Sequence, residues 1–350
     1  MRAITFQPGA PGTLRVEEVP DPEPGPGELL VQGLALGICG TDRELASGEY
    51  GFEQDDKKSM ILGHESLGRV IEAPEGSAFS PGDLVVGVVR RPDPVPCQAC
   101  ARGEFDMCRN GRYTERGIKA LDGYGSELWT VEEHYAVRLR PGLESVGVLM
   151  EPASVLAKAW EQIEAVGSRA WFGPRTALVV GAGPIGLLAA LLGTQRGLEV
   201  HVIDRVTEGI KPDLVRSLGA VFHSGSTLEP VRELRPDIII EATGAGPMVL
   251  DAMVASGAAG VVCLTGVSAA GKVLDADVGR INREIVLEND VVFGSVNANL
   301  RHFRAAADAL AAADHAWLER MITRRLPLEE APAAVESHGD DVKLVIDLAA

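Results

Sequence analysis

No apolar run in this chain reaches the roughly 18–20 residues that a membrane-spanning helix needs, so no membrane association is expected. The N-terminal stretch Met1–Phe6 has no long apolar core behind a basic end. That pattern is not a secretory leader, and a cytoplasmic protein is expected. Positive charge is scarce: 33 Lys and Arg face 50 Asp and Glu, a formal net charge of −17. Nucleic-acid phosphates bind basic surfaces, so no nucleic-acid partner is expected. Cysteines number five, at positions 39, 97, 100, 108 and 263. A small odd count points away from a disulfide framework and toward metal binding or plain burial. Repeats and low-complexity segments are absent.

What remains is a globular composition, with 46% hydrophobic and 24% charged residues in 350. A chain of this length is expected to form two domains, each with its own core. Residues 1–150 carry short apolar segments, Glu28–Leu36 and Asp83–Val89 among them. Pro/Gly punctuation at Pro20–Gly27 and Ser80–Asp83 separates them. Many short strands with turns between them predict a small barrel-like β domain. From about residue 155 helix and strand alternate, which predicts an α/β unit. Pro152–Val166 reads as a helix. Asp237–Ala242, Gly260–Thr265 and Asp290–Gly294 read as strands of a parallel sheet covered on both faces. Leu300–Ala313 reads as an Ala-rich helix and Asp341–Leu348 as a final strand, expected to return to the first domain.

The α/β unit opens with Thr176–Ala190, a short apolar strand, a glycine turn and an apolar helix. Gly181, Gly183 and Gly186 form G-x-G-x-x-G, with Pro184 and Ile185 inside the turn. The first glycine permits the sharp turn, the second lets backbone approach a pyrophosphate, and the third lets helix pack on strand. A second strand, Glu199–Asp204, ends in an acid 18 residues after Gly186 (204 − 186). That is near the offset of about 20 expected for a ribose-binding carboxylate. Dinucleotide binding is therefore expected. A carboxylate at Asp204 favours NAD; Arg205 leaves NADP open.

The first domain holds candidate zinc ligands. Cys39, His64 and one or both of Glu65 and Glu151 offer thiolate, imidazole and carboxylate, with a fourth position open to water or substrate as in a catalytic site. Asp42 is placed to hold the His64 ring. Cys97, Cys100 and Cys108 resemble a structural zinc set in need of a fourth ligand, for which Asp93 is the candidate.

These residues resemble the zinc-containing medium-chain dehydrogenases, and within them the archaeal-type glucose dehydrogenases. The pieces that carry the likeness are Cys39–Glu44, Leu62–Arg69, Val89–Pro92, Tyr113–Ile118, Glu151–Pro152, Asn282–Leu287 and Gly294–Asn299. The resemblance implies a GroES-like catalytic domain over 1–155, completed by 297–350, and a Rossmann doubly wound parallel sheet over 156–296. Substrate would lie in the cleft between them. It implies a catalytic zinc at Cys39, His64 and Glu65, with Glu151 close to the metal. Sugar contacts would come from Thr41, Glu115, Glu151 and Asn297. Cofactor contacts would come from the glycine turn, Asp204, Arg205, Leu264, Thr265, Gly266, Ser295, Val296 and Asn297. The implied chemistry is oxidation of an aldose such as D-glucose at C1 to the aldonolactone, in a homo-oligomer. The same machinery acting on a polyol, an amino alcohol or another sugar is the rival. An NAD(P)-binding redox sensor is the rival outside enzymes.

Overall fold

The strand Glu28–Ile38 is the spine of the first folding unit. Its side chains alternate inward at Leu29, Val31 and Ala35, the period of a strand with one face on a core. A computed structural model of the chain describes residues 1–50, 59–268, 273–336 and 341–349. The chain forms two compact units, one of Met1–Ser154 with Asn297–Ala350 and another of Val155–Val296.

In the first unit the sheet runs Ala136–Arg138, Leu84–Gly87, Glu65–Glu72, Glu28–Ile38, Lys343–Asp347, Ile322–Pro327, with Leu128–Glu132 also paired to the spine. Two of these pairings build the site. Gly37 lies opposite Glu65 and Ile38 opposite Leu344, so the start of one strand and the start of another converge where the spine ends. Gly37 is needed at that crossing, because a Cβ there would stand 2.0 Å from Glu65 Oε2. Cys39 follows at once, extended, and caps the helix Gly40–Ser47, which stops at left-handed Gly48.

The second unit is a six-stranded parallel sheet in the order Val221–Ser224, Glu199–Asp204, Thr176–Val180, Ile238–Glu241, Val261–Leu264, Val291–Gly294. Numbered along the chain this is 3-2-1-4-5-6, the doubly wound order of dinucleotide folds. Leu178, Val180, Ile203, Ile239 and Val262 form its buried apolar core. The helix Pro184–Gln195 is apolar nearly all round and correspondingly buried. The Val221–Ser224 strand carries only a short apolar signal and was not anticipated from sequence. Among the described residues, no helix is long and apolar enough to cross a membrane.

Candidate active site

Cys39 Sγ, a ring nitrogen of His64 and a carboxylate oxygen of Glu65 lie within 4.8 Å of one another. Cys39 Sγ is 3.2 Å from His64 Nε2. On the far side of the ring, Asp42 Oδ1 stands 3.4 Å from His64 Nδ1, while Oδ2 accepts the Cys39 N–H at 2.8 Å. One carboxylate thus fixes both the thiol-bearing backbone and the imidazole. Asp42, His64 and Glu65 are buried. Burial opposes a charged imidazole, but Cys39 and Asp42 outweigh it and push the His64 pKa well up. Burial raises the Cys39 thiol. A thiol, an imidazole nitrogen and a carboxylate oxygen gathered this closely are a donor set that fits a zinc ion.

Glu151 lies outside that tight group, on the first turn of the helix Met150–Gly167, and feels the charges of Glu65, His64 and Asp42. Its carboxyl is pushed up to about 7, chiefly by burial and by the neighbouring Glu65 and Asp42, against the pull of His64 and Lys343. Lys343 was not anticipated. It is a buried lysine whose Nζ meets both Glu65 oxygens and the Ile38 carbonyl. The available signal was a lone cation between Val342 and Leu344 in an apolar strand.

The expected sugar contacts Glu115 and Asn297 are bonded to each other. Glu115 Oε1 accepts Asn297 Nδ2 at 2.7 Å and Arg90 Nε and Nη2 at 3.0 and 2.9 Å. Arg90 in turn stacks on the Tyr113 ring, 3.6 Å from its centroid. Asn297 sits at φ +63°, a left-handed conformation that Asn tolerates. Thr41 is partly buried on the first turn of the Gly40–Ser47 helix.

The sulfurs of Cys97, Cys100 and Cys108 also lie within 4.8 Å of one another. Hydrogen bonds from the backbone of Arg109 and Cys100 lower the Cys97 thiol to about 6, and burial raises Cys100 to about 11. Asp93, the expected fourth ligand, meets Cys100 through its backbone, but its carboxylate is not in the group. Its carboxylate accepts from Val95 N, Asn110 Nδ2 and Arg112 Nε, which turn it into a tie for its own loop. The set is three sulfurs without a fourth protein donor from Asp93.

In the second unit Gly181 takes φ +102°, and a Cβ on Gly186 would fall 1.8 Å from Gly181 O. Gly183 faces open space and begins the helix whose N1 is Pro184. Beside the turn lies a cavity of ≈490 Å³ lined by Gly181, Gly183, Asp204, Arg205, Lys211 and Ser226 among others. Lys211 and Ser226 were missed, because they lie beyond the motif. Ile185, Gly186, Leu264, Thr265, Gly266, Ser295 and Val296 are off its wall. Thr265 instead ties its strand tip to the Glu241 carbonyl, and Val296 O accepts from the buried Lys158.

Residues 25–141 match the family model for the alcohol dehydrogenase GroES-like domain, and residues 144–348 that for the glucose dehydrogenase C-terminus. A glucose 1-dehydrogenase from Methanocella arvoryzae is 39% identical, each chain covered in full. One from Thermoproteus tenax is 38% identical over 99% of each chain. The solved Haloferax mediterranei glucose dehydrogenase, in complex with NADP, Zn and gluconolactone, superposes with a TM-score of 0.91 at 33% identity, each chain covered in full. Fold and site define a medium-chain oxidoreductase made of a GroES-like domain and a Rossmann-type sheet. Within that class the chain belongs to the glucose dehydrogenase family.

Proposed function

We propose that this chain oxidises an aldose such as D-glucose at C1 to the aldonolactone, passing hydride to NAD(P). The observation that carries the reading is the group of half-buried Cys39 with buried His64 and Glu65, backed by Asp42. Cys39, His64 and Glu65 would hold zinc, which when bound supplies Lewis acidity toward the C1 hydroxyl. Both Glu65 oxygens are engaged by Lys343, which orients this donor. Glu151, beside this group, is the residue assigned to take the hydroxyl proton. As the C1–H electron pair leaves for the nicotinamide ring, the C1–O bond becomes the lactone carbonyl. Glu115, oriented by Arg90 and Asn297, accepts a sugar hydroxyl, and Thr41 supplies a further hydroxyl contact. The glycine turn holds the dinucleotide pyrophosphate on the helix N–H groups.

The protein is read as cytoplasmic. It is also read as a homo-oligomer. The strand Val291–Gly294 is the edge of its sheet, and the helix Val278–Glu288 buries none of its residues, with Val286 and Leu287 more than half exposed. A second copy covering that face is the proposed occupant, to be checked by light scattering on the eluting protein.

The deciding assay is initial-rate NAD(P)H production on a panel of aldoses and polyols, with zinc content measured before and after chelation. Chelator-sensitive oxidation of glucose or a close epimer is expected. Activity confined to a polyol or an amino alcohol would replace the sugar. Silence of the zinc-loaded protein on every alcohol would favour a cofactor-binding sensor.

A further inference from the structure

The two oxygens of Glu115 are treated differently. Oε1 receives three hydrogen bonds, from Arg90 Nε and Nη2 and from Asn297 Nδ2. Oε2 accepts none among the described residues, yet it is not sealed from solvent. The residue as a whole is 5% exposed. Glu115 is therefore a buried carboxylate with one oxygen tied down and one left for a ligand. The last torsion of a glutamate is broad, so Oε2 points only as accurately as the partners of Oε1 hold it.

Arg90 is the charged partner, and sheet geometry puts it there. The strand Arg90–Arg91 pairs antiparallel with Thr114–Arg116, with Arg90 directly opposite Glu115. Tyr113 stands two residues before Glu115, so the strand period turns it to the same side. The edges of the guanidinium are in use: Nε and Nη2 face Glu115, and Nη1 donates to the Asp106 carbonyl at 3.0 Å. A planar group gripped by its edges still has its tilt to settle. The Tyr113 ring settles it, lying 3.6 Å from the guanidinium carbon to the ring centroid. The same ring carries a second cation, Lys119 Nζ, 4.2 Å from the centroid. Lys119 is fixed in turn. Its backbone exchanges two hydrogen bonds of 2.9 Å with that of Glu115, and its Nζ donates to the Gly111 carbonyl. One ring thus serves two cations, each tied to Glu115 by a separate route.

We propose that Tyr113 is a positioning residue for sugar selectivity: by holding the plane of Arg90 it aims Glu115 Oε2 at a single sugar hydroxyl. The proposal rests on the aldose reading above, and Tyr113 acts through Arg90 and Glu115 rather than on the sugar. An acceptor aimed at one hydroxyl rejects the analogue that lacks it, because the carboxylate oxygen is then left unpaired. A residue that aims the acceptor must therefore act on one hydroxyl and not on the others.

The test uses the intact, zinc-loaded protein with its dinucleotide. Values of kcat/KM are measured for glucose and for its analogues that each lack one hydroxyl away from C1, in wild type, Tyr113→Leu, Tyr113→Phe and Arg90→Lys. In wild type one analogue should fall about tenfold or more below glucose. Tyr113→Leu should lose about tenfold on glucose and little on that analogue, so the discrimination collapses. Tyr113→Phe keeps the ring face and should keep the wild-type ratio within about twofold. Arg90→Lys keeps the charge but loses the fork and the stack, and should collapse the same ratio. Melting curves check that each variant folds, and Arg90→Lys carries the test if Tyr113→Leu does not. A Tyr113→Leu loss shared equally by glucose and every analogue overturns the positioning role, as does an unmoved ratio in Tyr113→Leu or Arg90→Lys. Glucose turnover in wild type without preference for any one hydroxyl overturns it as well, and leaves the aldose reading intact. A wild-type protein that oxidises no aldose removes that reading, and the positioning role with it.

Discussion

Lys343 Nζ lies 2.7 and 2.6 Å from the two carboxylate oxygens of Glu65, and both side chains are buried. The contact joins the strand Lys343–Asp347 to the strand Glu65–Glu72 across the spine, with the Ile38 carbonyl as the third point. Two charges out of water are tolerated only when each is the other's partner. The third donor of the Cys39, His64 and Glu65 group is therefore oriented from behind by the last strand of the fold.

Removing that lysine should expose the cost. Lys343→Met leaves a buried carboxylate uncompensated, and a loss of about 3–5 kcal/mol is expected. The denaturant midpoint of the metal-free protein measures it. Lys343→Arg should recover most of the loss, since it restores the charge. A Met variant as stable as wild type would mean that Glu65 does not depend on this partner.

Asp42 reaches both the Cys39 backbone and the His64 ring. Asp42→Asn keeps the shape and discards the charge that favours the metal-binding arrangement. Zinc affinity should fall about 10–100-fold, as it does when carboxylates behind a metal-bound histidine are changed. Competition against a chromophoric chelator gives the number directly, without reference to turnover. An affinity within twofold of wild type would sink the role.

Much of this was legible in the sequence for identifiable reasons. Apolar runs such as Ile238–Glu241 and the spacing of Gly181, Gly183 and Gly186 report local geometry, so the parallel sheet and its turn could be read directly. Cys39 and His64 were legible as donor types. Lys343, 278 residues from Glu65, was not, because only the pairing of two distant strands brings them together. Asp93 misled for the complementary reason. Its proximity in sequence to Cys97 said nothing of Asn110 and Arg112, which claim its oxygens in space. Arg90 gave no sign that it would hold Glu115.

The three glycines of the turn should separate by mechanism. Gly186→Ala puts a Cβ 1.8 Å from Gly181 O, which is backbone and cannot swing aside, so the unit should lose stability as well as cofactor affinity. Gly183→Ala meets nothing within 4 Å, so its melting temperature should match wild type. Its cofactor affinity should still fall about tenfold, or about 1.4 kcal/mol, because the added methyl stands where a phosphate must approach. Melting curves paired with dinucleotide titrations distinguish the two, and a Gly183 variant with wild-type affinity would move the phosphate elsewhere.

Glu132 supplies a pH test away from the metal group. Burial would raise its carboxyl, but the Arg91 guanidinium, at 2.7 Å to Oε2, and the more distant Arg116 hold it down at about 2. Because the folded value lies below the ordinary value of about 4.3, the ion pair contributes its stability above that ordinary value. The contribution fades as pH falls from there through about 2. Glu132→Gln should therefore be less stable than wild type at neutral pH, and the gap should close as the solution is acidified through that window. Urea midpoints of both proteins at pH 7, 4 and 2.5 would show it. A gap that stays constant across the series would mean that Arg91 is held by shape and packing on the Tyr135 ring rather than by the Glu132 charge.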